Sequence, residues 1–264
     1  MLNKAQLEEL YLKYNELRYA SPDPLEVVYE YNNPRDQEVV AFIAAMLAYG
    51  RVASILSSIH KVLAVLGSRP AEGLVRSRIS TYERKLVGFK HRWTGEDDMV
   101  ALLRGLRRVL QQYGSLENCF VACRQPEDEN IIPAMTRWTS ALGRGEGGNM
   151  ISNPDGGSAC KRLHMFMRWM VRSDNVDLGL WKDVTPAQIF VPLDTHMFSL
   201  CSAMGLTARK QADGRAMEEI TRGFAKISPE DPVKYDFCLT RLGIRKGASK
   251  ETFLREIGVL EGQS

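Results

Sequence analysis

Val191-Pro-Leu-Asp194-Thr-His196-Met-Phe-Ser-Leu-Cys-Ser-Ala-Met204 turns from loop into helix at Asp194. Pro192 resists helix, and Asp is a preferred helix cap, so a helix from Thr195 to Met204 is predicted. A carboxylate that caps a helix stays ionised and firmly aimed. Both properties suit a group that stabilises developing positive charge, so the cap role leaves room for a second one.

Outward from this turn the chain reads as helix after helix. Asn3 to Ala20 is amphipathic and ends at Ser21-Pro22-Asp23-Pro24, and Leu25 to Tyr31 is a short element. Asp36 reads as the cap of Gln37 to Tyr49, a helix apolar nearly all round and therefore expected at a buried centre. Arg51–Leu66, a short piece from Pro70, Asp97–Gln112, Leu116–Cys123, Ile131–Leu142, Ser158–Val171, Arg215–Ile227 and Val233–Leu242 follow as further helices. Gly143 to Asn149 reads as a flexible loop, and Ser173 to Asp183 as irregular. No stretch alternates as a strand does. The predicted fold is all-α, with two lobes in one globular unit: residues 1–35 plus 205–264, and residues 36–204.

Composition sets the class. The chain has 264 residues, 44% hydrophobic and 25% charged, as an ordinary folded protein has. No apolar run is long enough for a membrane helix, and the acidic, amphipathic start is unlike a signal peptide, so a cytoplasmic protein is expected. Five cysteines lack Cys-x-x-Cys spacing, so reduced thiols, no disulfide and no metal are expected. Cys119 and Cys123, one helical turn apart, read as two small core residues. The net charge is +3. Cations cluster at Lys85/Lys90/His91/Arg92, Arg104/Arg107/Arg108, Lys161/Arg162/Arg168/Arg172 and Arg241/Arg245/Lys246/Lys250. Each cluster alone reads as a solvated face; four together suggest a basic groove.

Val-Pro-Leu-Asp194-Thr-His196-Met-Phe resembles the catalytic turn of the helix-hairpin-helix DNA glycosylases, the superfamily of endonuclease III and 8-oxoguanine glycosylase. Phe42-Ile-Ala-Ala-Met-Leu-Ala-Tyr49-Gly50-Arg51 is similar to the buried helix of that superfamily, which ends in a loop that plugs the gap left by a flipped base. Met217 to Glu230 and Asp236 to Gly243 parallel its later helices. Together these cover residues 36 to 247. Gly157-Ser158-Ala159-Cys160-Lys161-Arg162 resembles the Gly-x-Gly-x-Lys of the bifunctional members, with Ala159 where the second glycine stands. The usual Leu-Pro-Gly-Val-Gly hairpin is replaced by Asn153-Pro-Asp-Gly-Gly157. Lys161 precedes Asp194 by 33 positions. That long interval resembles the archaeal 8-oxoguanine glycosylase branch, and the Gly-Ser-Ala-Cys-Lys-Arg run also resembles an uncharacterised bacterial family.

The resemblance implies a DNA-repair enzyme that flips an oxidised purine such as 8-oxoguanine out of double-stranded DNA and excises it. Asp194 would stabilise the electron-poor sugar and help deprotonate Lys161. The neutral amine, favoured by desolvation and by Arg162, would attack C1′, form a Schiff base and nick the strand by β-elimination. Lys161 also reads as a solvated lysine, except that a cation at a helix start calls for an anion, a phosphate or Asp194 itself. The helix starts at Ser158 and Thr195, with Arg162, Arg168 and His196, are candidates for phosphate. Tyr49, Gly50 and Arg51 are candidates for the plug. His196 and Tyr49 read equally as structural. Gln37, Trp169, Trp181, Asp231, Tyr235 and Phe237 are candidates for reading or stacking on the base, although both tryptophans also fit a core. The superfamily's iron–sulfur cluster needs four cysteines near the C-terminus. None follows Cys238, so no cofactor is expected. A nucleoid-associated monomer with no membrane partner is implied. A monofunctional glycosylase, a nucleic-acid binder without the chemistry, and a helical module without nucleic acid are the alternatives.

Overall fold

The computed structural model describes residues 4–146, 148 and 150–244. These residues form twelve α-helices and four short 3₁₀ helices, and their only β-pairing is three isolated bridges. The fold is all-α. Residues 245–264, with the predicted cations Arg245, Lys246 and Lys250, lie outside the described part, as do Gly147 and Asn149 of the predicted loop.

The chain divides into two compact units, residues 1–19 with 157–264, and residues 20–156. The boundaries expected at 35/36 and 204/205 therefore move. The first moves because the 3₁₀ helix Pro24–Glu30 buries Leu25, Val27 and Val28 on the helices that follow it. The second moves because the 172–194 segment is tied by charge to helices of the terminal unit.

The terminal unit opens with α1 (Lys4–Tyr14), whose Leu7, Leu10 and Tyr14 are buried. The central unit holds α2 (Pro34–Leu47), α3 (Val52–Leu66), α4 (Pro70–Arg76), α5 (Ile79–Lys85), α6 (Glu96–Tyr113), α7 (Leu116–Ala122) and α8 (Ile131–Ala141). Helix α2 is the buried centre, with every residue from Glu38 to Leu47 out of solvent. Asn33, not Asp36, caps it, its side chain accepting from the Arg35 N–H at 2.9 Å. Asp36 instead accepts from the Ala71 N–H at the start of α4, 2.9 Å away. Glu38 does the same for α7, taking the Leu116 and Glu117 N–H groups, each at 3.0 Å. Two acids on the central helix thus satisfy the orphan donors of two neighbours.

The terminal unit continues with α9 (Lys161–Val171), α10 (Thr195–Ala203), α11 (Gly214–Ala225) and α12 (Asp236–Ile244). A buried ionic net joins them. Arg168 of α9 bonds Asp177 at 3.2 Å and contacts Asp236 of α12. Arg172 contacts Asp177, bonds Asp174 at 2.7 Å, and holds both oxygens of Asp231 at 3.0 and 2.9 Å. Tyr11 of α1 donates to Asp174 at 3.0 Å. Buried charge of this density is tolerable only because each guanidinium meets carboxylates.

Candidate functional site

Lys161 and Asp194 meet in the terminal unit. Lys161 is the first residue of α9 and Asp194 the cap of α10, and their Nζ and Oδ2 atoms are 3.0 Å apart. The anion that the lysine needs at a helix start is therefore the aspartate. The two carboxylate oxygens divide the work: Oδ1 accepts from the Met197 N–H at 2.8 Å, and Oδ2 faces the lysine. The side chains expose 36% and 32% of their surface, so the pair is held yet open to a ligand. Burial raises the Asp194 pKa, but Lys161, the Met197 N–H and His196 together outweigh it and hold the carboxyl below its ordinary value. Asp194 is ionised at neutral pH.

The approach to Lys161 is built backwards from α11. Asp213 caps α11 through the Ala216 N–H and pairs with Ser158 in an isolated bridge, while the Gly214 N–H donates to the Gly157 carbonyl at 2.8 Å. A Cβ at Gly214 would sit 3.3 Å from that carbonyl oxygen, a tight contact that the two stretches of chain would have to ease by a few tenths of an ångström. Gly157 has φ +76°, and Cys160 adopts the left-handed region at φ +41°, which is sparsely populated for a side chain of its kind. The predicted helix start at Ser158 is corrected: Ser158 is exposed, three residues before α9, with its hydroxyl accepting from the Cys160 N–H at 3.3 Å.

Behind the pair lies a third carboxylate. Asp236 is buried against Arg168; burial raises its pKa, Arg168 lowers it, and the charges of Asp194 and Lys161 also reach it. His164, one turn along α9, is fully buried, edge-on to Phe190, with no hydrogen-bond partner for either ring nitrogen among the described residues. Burial depresses its pKa to about 3, so the ring is neutral. Asp236 is legible in the sequence only as the start of a helix and His164 not at all, since nothing local marks an acid or imidazole as buried behind a distant pair.

Other predicted residues are placed differently. Arg168, taken for a phosphate contact, is buried and spent on carboxylates. Trp181 is core, edge-on to Phe166, and Trp169 is core as well. Tyr235 is buried with its hydroxyl donating to Glu8 at 2.6 Å. Phe237 is buried under the guanidinium groups of Arg168 and Arg241. Asp231 is committed to Arg172. These four base-pocket candidates, Trp181, Asp231, Tyr235 and Phe237, are structural. Arg162 is half-buried and His196 is exposed on the first turn of α10.

In the central unit, Gln37 donates to the Tyr31 carbonyl at 2.7 Å. Tyr49 is half-buried, Gly50 has φ +98°, and Arg51 is exposed at the start of α3. Cys119 is buried and Cys123 half-buried, both as free thiols.

No curated protein and no solved structure matches the chain. Residues 23–245 match the model of the family described as "Protein of unknown function (DUF2400)", and the chain belongs to that family.

Proposed function

We propose that the chain is a DNA glycosylase with an associated lyase step, excising an oxidised purine such as 8-oxoguanine from double-stranded DNA through Lys161 and Asp194. The observation that carries this is the 3.0 Å contact between an amine and a carboxylate drawn from separate helix starts, about one-third exposed. A lysine beside a rigid, ionised carboxylate is the arrangement that amine catalysis on an electrophilic carbon needs.

The steps balance as follows. The C1′–N bond to the base breaks and the base departs with the bonding pair, which a proton neutralises. Lys161 passes one ammonium proton to Asp194, and its free pair forms a bond to C1′. Loss of the second proton and opening of the sugar ring yield the imine. Removal of a proton from C2′ expels the phosphate at C3′ and cuts the strand. Water then hydrolyses the imine and restores the amine. Asp194 offsets the positive charge on the sugar in the first step. Covering the pair with nucleic acid removes water and makes the proton transfer, which cancels two charges, more favourable. Arg162, His196 and Ser158 are within a few residues of the pair and are proposed phosphate contacts.

Borohydride reduction in the presence of a duplex carrying one 8-oxoguanine should trap a covalent adduct. Lys161→Gln should abolish it, and Asp194→Asn should slow its formation by about 100-fold or more. An adduct undiminished in Lys161→Gln would sink the lysine assignment. Base release without an adduct would point to water as nucleophile, and binding without either to a nucleic-acid binder lacking the chemistry.

A further inference from the structure

The central unit carries an unusual surface feature remote in sequence from the lysine–aspartate pair. Trp93 exposes 66% of its surface, whereas Trp138, Trp169 and Trp181 are buried. Its indole lies parallel to the Tyr49 ring, centroids 4.6 Å apart at 12°. The Arg92 guanidinium sits over the indole at 4.9 Å. Val87, 73% exposed, lies a few residues upstream.

The ring is held rigidly. His91 and Thr94 exchange two backbone hydrogen bonds of 2.9 Å and close a tight turn around Arg92 and Trp93. Arg92 pays for that turn with φ +54°, in the left-handed region. The buried His91 ring meets the Ser58 hydroxyl at 2.9 Å and the Tyr49 carbonyl at 3.0 Å. The Tyr49 hydroxyl contacts the Thr94 hydroxyl. Arg92 also lies on Gly50, where an added Cβ would approach its Cδ to 2.8 Å. A backbone outlier, a buried imidazole and a tyrosine therefore converge on presenting one large aromatic ring to solvent, which packing alone does not require.

The surrounding charge is cationic. Arg51, Lys85, Lys90 and Arg92 are exposed and make no ion pair among the described residues. Of the neighbouring acids, the exposed Glu83 pairs with Arg104, Glu96 accepts from the Gly88 N–H, Asp98 accepts from the Gly95 N–H, and Asp97 is exposed. A flat aromatic face among unpaired cations fits a base with its phosphates, since every base has a face to stack and every phosphate a charge to match.

We infer that Trp93, backed by Tyr49 and flanked by Arg51, Lys90 and Arg92, is a stacking platform for an unpaired base of single-stranded nucleic acid. Arg92 moves from the indole to a phosphate as the base takes the ring. The inference uses Tyr49 and Arg51, which are also the plug candidates, and shares nucleic acid as partner with the proposed function; it does not use the Lys161 chemistry.

All four tryptophans emit, but Trp138, Trp169 and Trp181 are buried and out of reach of a stacking base, so the part of any quench that Trp93→Ala removes belongs to this ring. Titrating the full chain at low salt with oligothymidylate of about 12 nucleotides should quench emission as binding saturates. Trp93→Ala, at an exposed position that leaves the fold intact by circular dichroism, should lose the quench and weaken binding on the order of tenfold or more. Heparin, a polyanion without bases, should bind without quenching. Binding of oligothymidylate without quench, equal affinity in Trp93→Ala, or no binding at all would each overturn the platform. A lost quench beside an intact borohydride adduct overturns this inference alone; an intact quench without the adduct overturns the lysine chemistry alone.

Discussion

His164 makes a quantitative prediction about acid stability. Its ring is fully buried on α9 and neutral, with a pKa near 3 in the folded chain against about 6.5 in an unfolded one. The folded-state value is depressed, so protonation favours the unfolded state. The contribution is whole above pH 6.5 and is lost as pH falls from there toward 3. Each unit of difference is worth about 1.4 kcal/mol, giving roughly 5 kcal/mol in the limit and about 2 kcal/mol at pH 5 relative to pH 8. His164→Met keeps the volume and flexibility of the site while removing both nitrogens. At pH 8 the variant should be at least as stable, because it removes polar atoms that are buried without partners among the described residues. Urea unfolding followed by circular dichroism at the two pH values provides the test. The wild type should lose about 2 kcal/mol more than the variant between pH 8 and pH 5. The carboxylates cancel in that comparison, since both proteins carry them. Parallel losses in the two proteins would refute the burial of a neutral imidazole.

Two further changes test the packing. Gly105 lies inside α6, where alanine is ordinarily better by about 1 kcal/mol. Here a Cβ would stand 1.8 Å from the Leu142 carbonyl oxygen, so Gly105→Ala should lower the melting temperature by several degrees, and an unchanged or raised value would contradict the close approach. Asp177 is buried between Arg168 and Arg172; Asp177→Asn leaves two guanidinium groups short of charge and should cost about 3–5 kcal/mol in urea unfolding, with a loss under about 1 kcal/mol counting against the net.

Local signals determined the helical class, most helix positions and the cap at Asp194, because periodicity and capping act within three or four residues. The likeness of two short motifs also suggested, across 33 positions, that Lys161 and Asp194 meet, and they do. Tertiary structure decided the rest. Asp36 has the sequence appearance of a cap for its own helix, yet its carboxylate serves α4, because the nearest unsatisfied N–H in space belongs to Ala71. Arg168, Asp231, Tyr235 and Phe237 look like ligand-reading residues, yet charge pairing and burial commit them to the core of one unit. Trp93 looks like any tryptophan, and only the turn at Arg92 and the stack on Tyr49 turn it outward. A side chain's type states what it can do; whether it is buried, paired or presented depends on partners that folding brings from far along the chain.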